Sequence, residues 1–358
     1  MKHSPLLVLG CVLAVASGDQ LAAQVPEIPY DSVPDLLKLP PDLYLGEASG
    51  VALNSKKHIF VFSRGNSSGP AYGATAAQLL EFGPDGKYIR EIGKHLYAWS
   101  FAHAVRVDKY DNIWAVDKGS DMIVKFNPAG RVVMLFGRKK EAADEGDGPW
   151  THVKPPRPAI DGQFRQPTDV TWDPQGNIFI SDGYINSRVA KFDKNGDWVK
   201  QWGNRGTGTG EFNTPHSIAS DNQGNIYVAD RGNRRIQVFD GGGNFLRQIT
   251  IDLPIPPKVH QWMGNPLSAQ AAAAQNGAPW AVCITPGSPQ YLYSADAYPG
   301  RVYKLSLDGQ VLGVLGRTGR QPKEFGWIHE IACPPENEIY VAELLNWRVQ
   351  KLRLRPPK

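Results

Sequence analysis

Short apolar runs, each closed by an acidic residue and separated by polar turns, recur through nearly the whole chain. The unit reads turn, Ile-aromatic-Val, acid, loop, Arg-Val or Arg-Ile. It appears as Asp-Asn-Ile-Trp-Ala-Val-Asp at 111–117, Gln-Gly-Asn-Ile-Phe-Ile-Ser-Asp at 175–182 and Gln-Gly-Asn-Ile-Tyr-Val-Ala-Asp at 223–230. Tyr-Leu-Tyr-Ser-Ala-Asp at 291–296 and Glu-Ile-Tyr-Val-Ala-Glu at 338–343 repeat it, and His58–Phe62 opens a weaker first copy. Within a unit, apolar and polar positions alternate with period two between Asp-Gly, Asn-Gly, Gln-Gly or Pro-Gly turns, as in Val189–Val199, which is a hairpin pattern. The 3.6-residue spacing of a helical solenoid is missing. Anchored on Ile59, Ile113, Ile178, Ile226, Leu292 and Ile339, the copies number six. A repeat of roughly 40–50 residues carrying about four strands is a propeller blade, so the pattern predicts an all-β chain forming a single six-bladed β-propeller over residues 40–354. The last unit stops after three strands at Leu354, and an early strand near Leu43-Tyr44-Leu45 is expected to complete it and remove the open edge. Two longer intervals, 138–166 and 252–279, read as rim insertions, the second with one helical turn at Ala271–Ala274.

Residues 1–23 stand apart from this pattern. Lys2, the apolar run Leu6–Val15 and the small residues up to Ala23 read as a signal peptide, leaving 24–39 as an N-terminal segment and predicting an exported protein, periplasmic or extracellular. Gly18-Asp19-Gln20 cuts the apolar run well short of a membrane span, and Cys11 leaves a lipoprotein reading open. Beyond Cys11 only Cys283 and Cys333 remain, too few for a disulfide framework; their pairing with each other is left open by the sequence, with burial as two thiols the preferred reading. The formal net charge is only +4 and dispersed, which argues against nucleic acid as a partner.

The acids and arginines inside the motif, Asp182/Arg188, Asp230/Arg235, Asp296/Arg301 and Glu343/Arg348, occupy equivalent places and read as structural pairs within blades. Chemistry enters ten residues before each anchor, at the start of the innermost strand. With a two-residue turn insertion allowed in the fifth blade, that register holds Ser49, His103, Thr168, His216, Trp280 and His329. The three histidines fall on alternate blades, 113 residues apart each time, so a six-membered ring brings three imidazoles to its axis about 120° apart. Three nitrogens with an open fourth position suit zinc; manganese, iron and cobalt are alternatives, whereas calcium and magnesium prefer oxygen. Arg64 and Arg231 each lie five residues past their anchors on opposite blades, with Lys118 the equivalent on blade two, and Tyr184 one position later on blade three. Opposed arginines favour an anionic, carboxylate-bearing substrate, and a tyrosine beside cations can act as a general base.

The repeats resemble the NHL unit. More specifically, Gln166–Val170, Ser181–Tyr184 with Asn186–Arg188, Trp202-Gly203, Pro215–Ser217, Val228–Arg231 with Arg235–Gln237, and Gly50–Leu53 leading to Arg64-Gly65 resemble the peptidyl-α-hydroxyglycine α-amidating lyase family. The resemblance implies zinc on His103, His216 and His329, Tyr184 as catalytic base, Arg64 and Arg231 as active-site arginines, and cleavage of a C-terminal α-hydroxyglycine to an amide and glyoxylate. It also implies a structural calcium held by backbone carbonyls at Val51 and Val105 and by a carboxylate, here Glu330 where the family has aspartate. Family cysteines are replaced by Ile185 and Tyr227, and a methionine by Trp327, which opens the pocket to a different hydroxy substrate. The expected partner is thus a small molecule or peptide with a terminal carboxylate, acted on by a monomer without a membrane span. The alternatives are a noncatalytic binding scaffold and a gluconolactonase-like metal hydrolase; the latter's carboxylate and amide ligands are not what the converging positions carry.

Overall fold

The computed structural model describes residues 25–65, 77–139, 158–256, 259, 276–334 and 337–355. The first strand, β1 (Tyr30–Ser32), belongs to the last blade. Blade one is β2 (Ala48–Leu53), β3 (Ile59–Ser63), β4 (Gln78–Phe82) and β5 (Tyr88–Ile92); blade two is β6 (Ala102–Val107), β7 (Ile113–Asp117), β8 (Met122–Phe126) and β9 (Val132–Gly137). Blade three is β10 (Asp169–Trp172), β11 (Ile178–Asp182), β12 (Arg188–Phe192) and β13 (Trp198–Trp202), and blade four β14 (Pro215–Ser220), β15 (Ile226–Asp230), β16 (Arg235–Phe239) and β17 (Phe245–Ile249). Blade five is β18 (Ala281–Ile284), β19 (Leu292–Ala295), β20 (Val302–Leu305) and β21 (Val311–Leu315). Blade six runs β22 (Ile328–Ala332), β23 (Glu338–Glu343) and β24 (Arg348–Leu354), then β1. Each blade is a four-stranded antiparallel sheet, and the innermost strands β2, β6, β10, β14, β18 and β22 touch in a closed circle.

The Ile-aromatic-Val motif has a direct packing reason. Successive side chains on a strand point to opposite faces, and each blade is covered on both. Ile113 and Ala115 pack with Phe60 and Phe62 of blade one, while Trp114 and Val116 pack with Ile178 and Ile180 of blade three. Phe179 turns to blade four, Tyr227 to blade five, Tyr293 to blade six and Tyr340 to blade one. The core is therefore six interfaces between blades. Outer strands meet water, and β9, β13 and β17 carry exposed positions accordingly.

The closing strand departs from the expectation, and the structure decides the pairing of the cysteines. The closing strand is Tyr30–Ser32, paired antiparallel with Leu352–Leu354, so the propeller starts before residue 40. Leu43 and Leu45 instead pack into the apolar interface between blades one and six, where their apolar character serves equally well. Cys283 and Cys333 are joined in a disulfide with their Cα atoms 6.0 Å apart, linking β18 of blade five to the end of β22 in blade six. The signal-peptide reading (1–23), the Cys11 alternative, Ala271–Ala274 and most of both rim insertions lie outside the described residues. Among the described residues no helix is long and apolar enough to cross a membrane.

The acids closing each second strand do more than pair with arginine. Asp182 binds Arg188 (2.9 Å), Asp230 binds Arg235 (2.8 Å) and Glu343 binds Arg348 (2.7 Å). Asp296 differs from the expected pairing with the Arg301 guanidinium, taking instead the Tyr303 hydroxyl (2.6 Å) and the Arg301 amide (2.9 Å). Every one of them also accepts a backbone N–H three residues ahead of the axial register: Ser100 for Asp117, Arg165 for Asp182, Asn213 for Asp230, Gly277 for Asp296 and Gly326 for Glu343. The acid thereby sets where the chain enters the innermost strand. Replacing Asp182 with Ala strands the fully buried Arg188, and the expected loss is about 3–5 kcal/mol of stability, measurable as a lowered urea midpoint at unchanged slope; a midpoint within error of the unaltered protein counts against this role.

Candidate metal centre and its cation ring

His103, His216 and His329 meet on the axis. In β6, β14 and β22 the pairing register slips at these three positions, between Ala102 and Ala104, Pro215 and Ser217, and Ile328 and Glu330. A bulge leaves one residue unpaired and re-aims its side chain, and here that residue is the histidine. Ser49 sits at the same slip in blade one. Each Nδ1 lies 2.7 Å from a carbonyl oxygen of the next blade around the ring: His103 on Thr168, His216 on Trp280 and His329 on Ser49. The three acceptors are the remaining three positions of the same register. A carbonyl only accepts, so Nδ1 carries the hydrogen and Nε2 keeps its lone pair. The ring centroids stand 4.7, 4.7 and 5.0 Å apart, and one ligand atom from each lies within 4.8 Å of the others.

Burial comes first in holding all three imidazoles well below the usual histidine range, and neighbouring cations and each other's rings add to it. They stay neutral near pH 7. Three neutral, buried nitrogen donors locked by a carbonyl behind each fit a borderline-soft cation such as zinc.

Tyr184 reaches this trio, its Oη 3.1 Å from His216 Nε2 and 3.4 Å from His103 Nε2, and Arg231 Nη1 donates to it at 3.5 Å. Gly183 permits the approach, since a Cβ there would stand 1.9 Å from the Pro215 carbonyl oxygen. Burial opposes ionisation of the phenol, yet Arg231, Lys118 and Arg64 outweigh it and hold Tyr184 below the usual tyrosine range.

The two arginines are not equivalent. Arg64 donates to Glu47 (2.9 Å), to the Ala102 carbonyl (2.9 Å) and to His329 Nε2 (3.3 Å), so its charge is already balanced by a carboxylate. The Arg231 guanidinium carbon stands over the Trp280 ring, 4.0 Å from its centroid, and Arg231 Nε finds no hydrogen-bond partner among the described residues. Lys118, the blade-two counterpart that the sequence places in register without a role, extends its Nζ over the Tyr184 ring at 4.0 Å and has no ion pair among the described residues. Glu47 and the aromatic support Phe101 were not legible as site residues, and Trp280 stood in the axial register without a role as the support of Arg231. Only the offset after each anchor pointed to Lys118, and nothing in the repeat marks Glu47, which precedes the first blade.

The implied calcium site does not fit its residues. Glu330 accepts the amides of Val51 and Val105, the latter at 3.2 Å, and its other oxygen, which makes no hydrogen bond among the described residues, lies 3.5 Å from the guanidinium of Arg106. A cation is already supplied there by the chain.

Geometry and fold together define a class: a six-bladed propeller with a buried three-imidazole centre on its axis, ringed by stacked cations. A family model described as DUF5128, 6-bladed beta-propeller, matches residues 163–263. The chain is 30% identical over 329 residues to peptidyl-glycine alpha-amidating monooxygenase A of Xenopus laevis, covering 84% of this chain and 31% of that protein. It is 27% identical over 275 residues to peptidyl-alpha-hydroxyglycine alpha-amidating lyase 1 of Drosophila melanogaster, covering 72% of this chain and 46% of the relative. The chain thus spans about a third to a half of the length of these two curated relatives. Among solved structures, a gluconolactonase from Xanthomonas campestris superposes with a TM-score of 0.55 at 15% identity, covering 92% of this chain and 95% of that one, which concerns the fold alone. On its sequence matches the chain is a homologue of the peptidyl-α-hydroxyglycine α-amidating lyases, the family its motifs resemble.

The depressed histidines imply an acid-sensitive centre when metal is removed. Below about pH 6.5, the ordinary value, the unfolded chain takes up protons that the folded trio refuses, so stability present in full above that pH falls as acid is added. Melts of chelator-treated protein should show Tm dropping from pH 7 to 5, and more shallowly in His216→Gln; equal slopes would contradict the assignment.

Proposed function

We propose that the chain is a zinc-dependent lyase cleaving an N-acyl or peptidyl α-hydroxyglycine to an amide and glyoxylate, outside the cytoplasm if residues 1–23 act as a signal peptide. The observation that carries this reading is Tyr184 Oη standing at 3.1 and 3.4 Å from two Nε2 atoms while three cations surround it. His103, His216 and His329 would hold the zinc. Zinc bound there supplies a Lewis acid that makes a substrate hydroxyl easier to deprotonate.

The remaining work belongs to the chain. Arg231, its guanidinium stacked on Trp280, and Lys118 present unneutralised positive charge to a substrate carboxylate. That contact orients the carbinol carbon toward Tyr184. Tyr184, its phenolate favoured by the same cations, accepts the hydroxyl proton. The C–O bond then becomes the aldehyde carbonyl of glyoxylate as the C–N bond breaks; the electron pair goes to nitrogen, which takes the proton back from Tyr184 to complete the amide. Arg64, tied to Glu47, adds to the field on Tyr184 rather than gripping the anion.

The test is glyoxylate release from a benzoyl α-hydroxyglycine by zinc-loaded and chelated protein. Zinc-loaded protein should turn over and chelated protein should not. Tyr184→Phe should keep its zinc and lose roughly 10²–10⁴-fold in kcat, the usual contribution of a positioned base. A substrate with its carboxylate amidated should react poorly. Zinc-loaded protein without glyoxylate above background overturns the reaction, and full zinc retention in a His103/His216 double alanine variant overturns the metal ligands.

A further inference from the structure

Directly after the histidine register on the same strands lies a second axial layer that the proposed chemistry does not use. Its centre is Arg106, three residues past His103 in β6. The guanidinium forks onto Asp169 of blade three, Nε to Oδ1 at 2.8 Å and Nη2 to Oδ2 at 2.6 Å. It also donates to Ser217 Oγ of blade four (3.3 Å), the Val282 carbonyl of blade five (3.4 Å) and the Ile331 carbonyl of blade six (3.1 Å). Its Nη1 is 3.5 Å from Glu330 Oε1. Glu330 in turn accepts amides from Val51 of blade one and Val105 of blade two. One side chain thus connects, directly or through Glu330, the innermost strands of all six blades.

Asp169 is committed to this arrangement, whereas Glu330 Oε1 makes no hydrogen bond among the described residues and has only the charge of Arg106 beside it. Asp169 Oδ2 additionally accepts Ser217 Oγ (2.7 Å) and the Ile218 amide (3.1 Å), and its Oδ1 takes the Val170 amide (2.9 Å). Gly50 makes room for Glu330, since a Cβ there would stand 2.8 Å from its Oε2. On the far side, Arg106 lines a cavity of about 470 Å³ together with Leu53, Cys283 and Cys333, so the guanidinium separates that mouth from the histidine layer.

We infer that Arg106 is the resident cation of the propeller axis, replacing a divalent ion with a guanidinium that belongs to the chain, so that this protein holds its six blades together without calcium. The physical logic is charge and geometry. Two buried carboxylates facing one another on an axis repel and need a cation between them. Arginine remains charged under all ordinary conditions and spreads five donors in a plane, which matches a fork onto Asp169 with donors left for carbonyls. A calcium ion placed here would have to displace it. The inference is independent of the lyase reading, and glyoxylate release has no part in its test.

The test uses the whole protein at fixed zinc. After dialysis into calcium-free buffer, calcium content and thermal melts are measured with and without millimolar calcium chloride. The unaltered protein should hold well under one calcium per chain and show the same Tm in both buffers. Arg106→Met should melt several degrees lower and regain part of that loss in calcium, because Asp169 and Glu330 are then left without their cation. Arg106→Lys, which keeps the charge and loses the fork, should fall between the two, and it carries the test if the methionine variant does not fold. One equivalent of calcium retained through dialysis, a calcium-dependent rise in the Tm of the unaltered protein, or Arg106 variants that melt like the unaltered protein would each overturn the inference.

Discussion

The hydrogen bond from a backbone N–H to the acid closing each second strand is the contact on which the axial architecture rests. It recurs in blades two to six at the same offset, three residues ahead of the position that faces the axis. A loop entering a strand has backbone groups with no ladder partner, and burying them unpaired costs free energy. The acid meets that need and, in doing so, fixes where the innermost strand begins. The bulge that follows then turns His103, His216 and His329 inward. What looks like blade-internal stabilisation is also the device that aims the site.

Aiming alone would not make the imidazoles ligands. Their other nitrogens are tied to Thr168, Trp280 and Ser49, so histidine blades and non-histidine blades alternate as donor and acceptor around the ring. The same bonds join neighbouring blades and leave three lone pairs pointing at one volume. Around that volume the positive charges rest on aromatic faces, Arg64 on Phe101, Lys118 on Tyr184 and Arg231 on Trp280. Arg64 is paired with Glu47, and stacking lets Lys118 and Arg231 sit near it in a buried site without acids of their own among the described residues, which preserves their pull on an anion and on the phenol of Tyr184.

The axis is built in layers of opposite character. Neutral nitrogens occupy one layer, and beyond them Asp169, Glu330 and Arg106 form a compact ionic group. The Cys283–Cys333 disulfide lines the same far mouth. Neighbouring blades five and six are therefore linked covalently near the place where a single guanidinium gathers strands from several blades. Closure at the rim is achieved separately, by β1 on β24.

The number of blades, their strand content and the histidine register were all readable along the chain, because a repeat imposes the same local requirement six times and any departure shows against the other copies. His103, His216 and His329 stand out for that reason, as do Arg64, Lys118 and Arg231 after their anchors. Tertiary structure alone decided what the repeat does not encode. The closing strand Tyr30–Ser32 has no partner nearby in sequence, and its pairing with Leu352–Leu354 depends on where the ring ends. Apolar residues at Leu43–Leu45 suit a strand or an interface equally, so the pattern did not separate the two. The partnership of Arg64 with Glu47, the fork of Arg106 on Asp169 and the Cys283–Cys333 bond each join side chains brought together by the curvature of the ring, and linear spacing carries no record of which side chain reaches which.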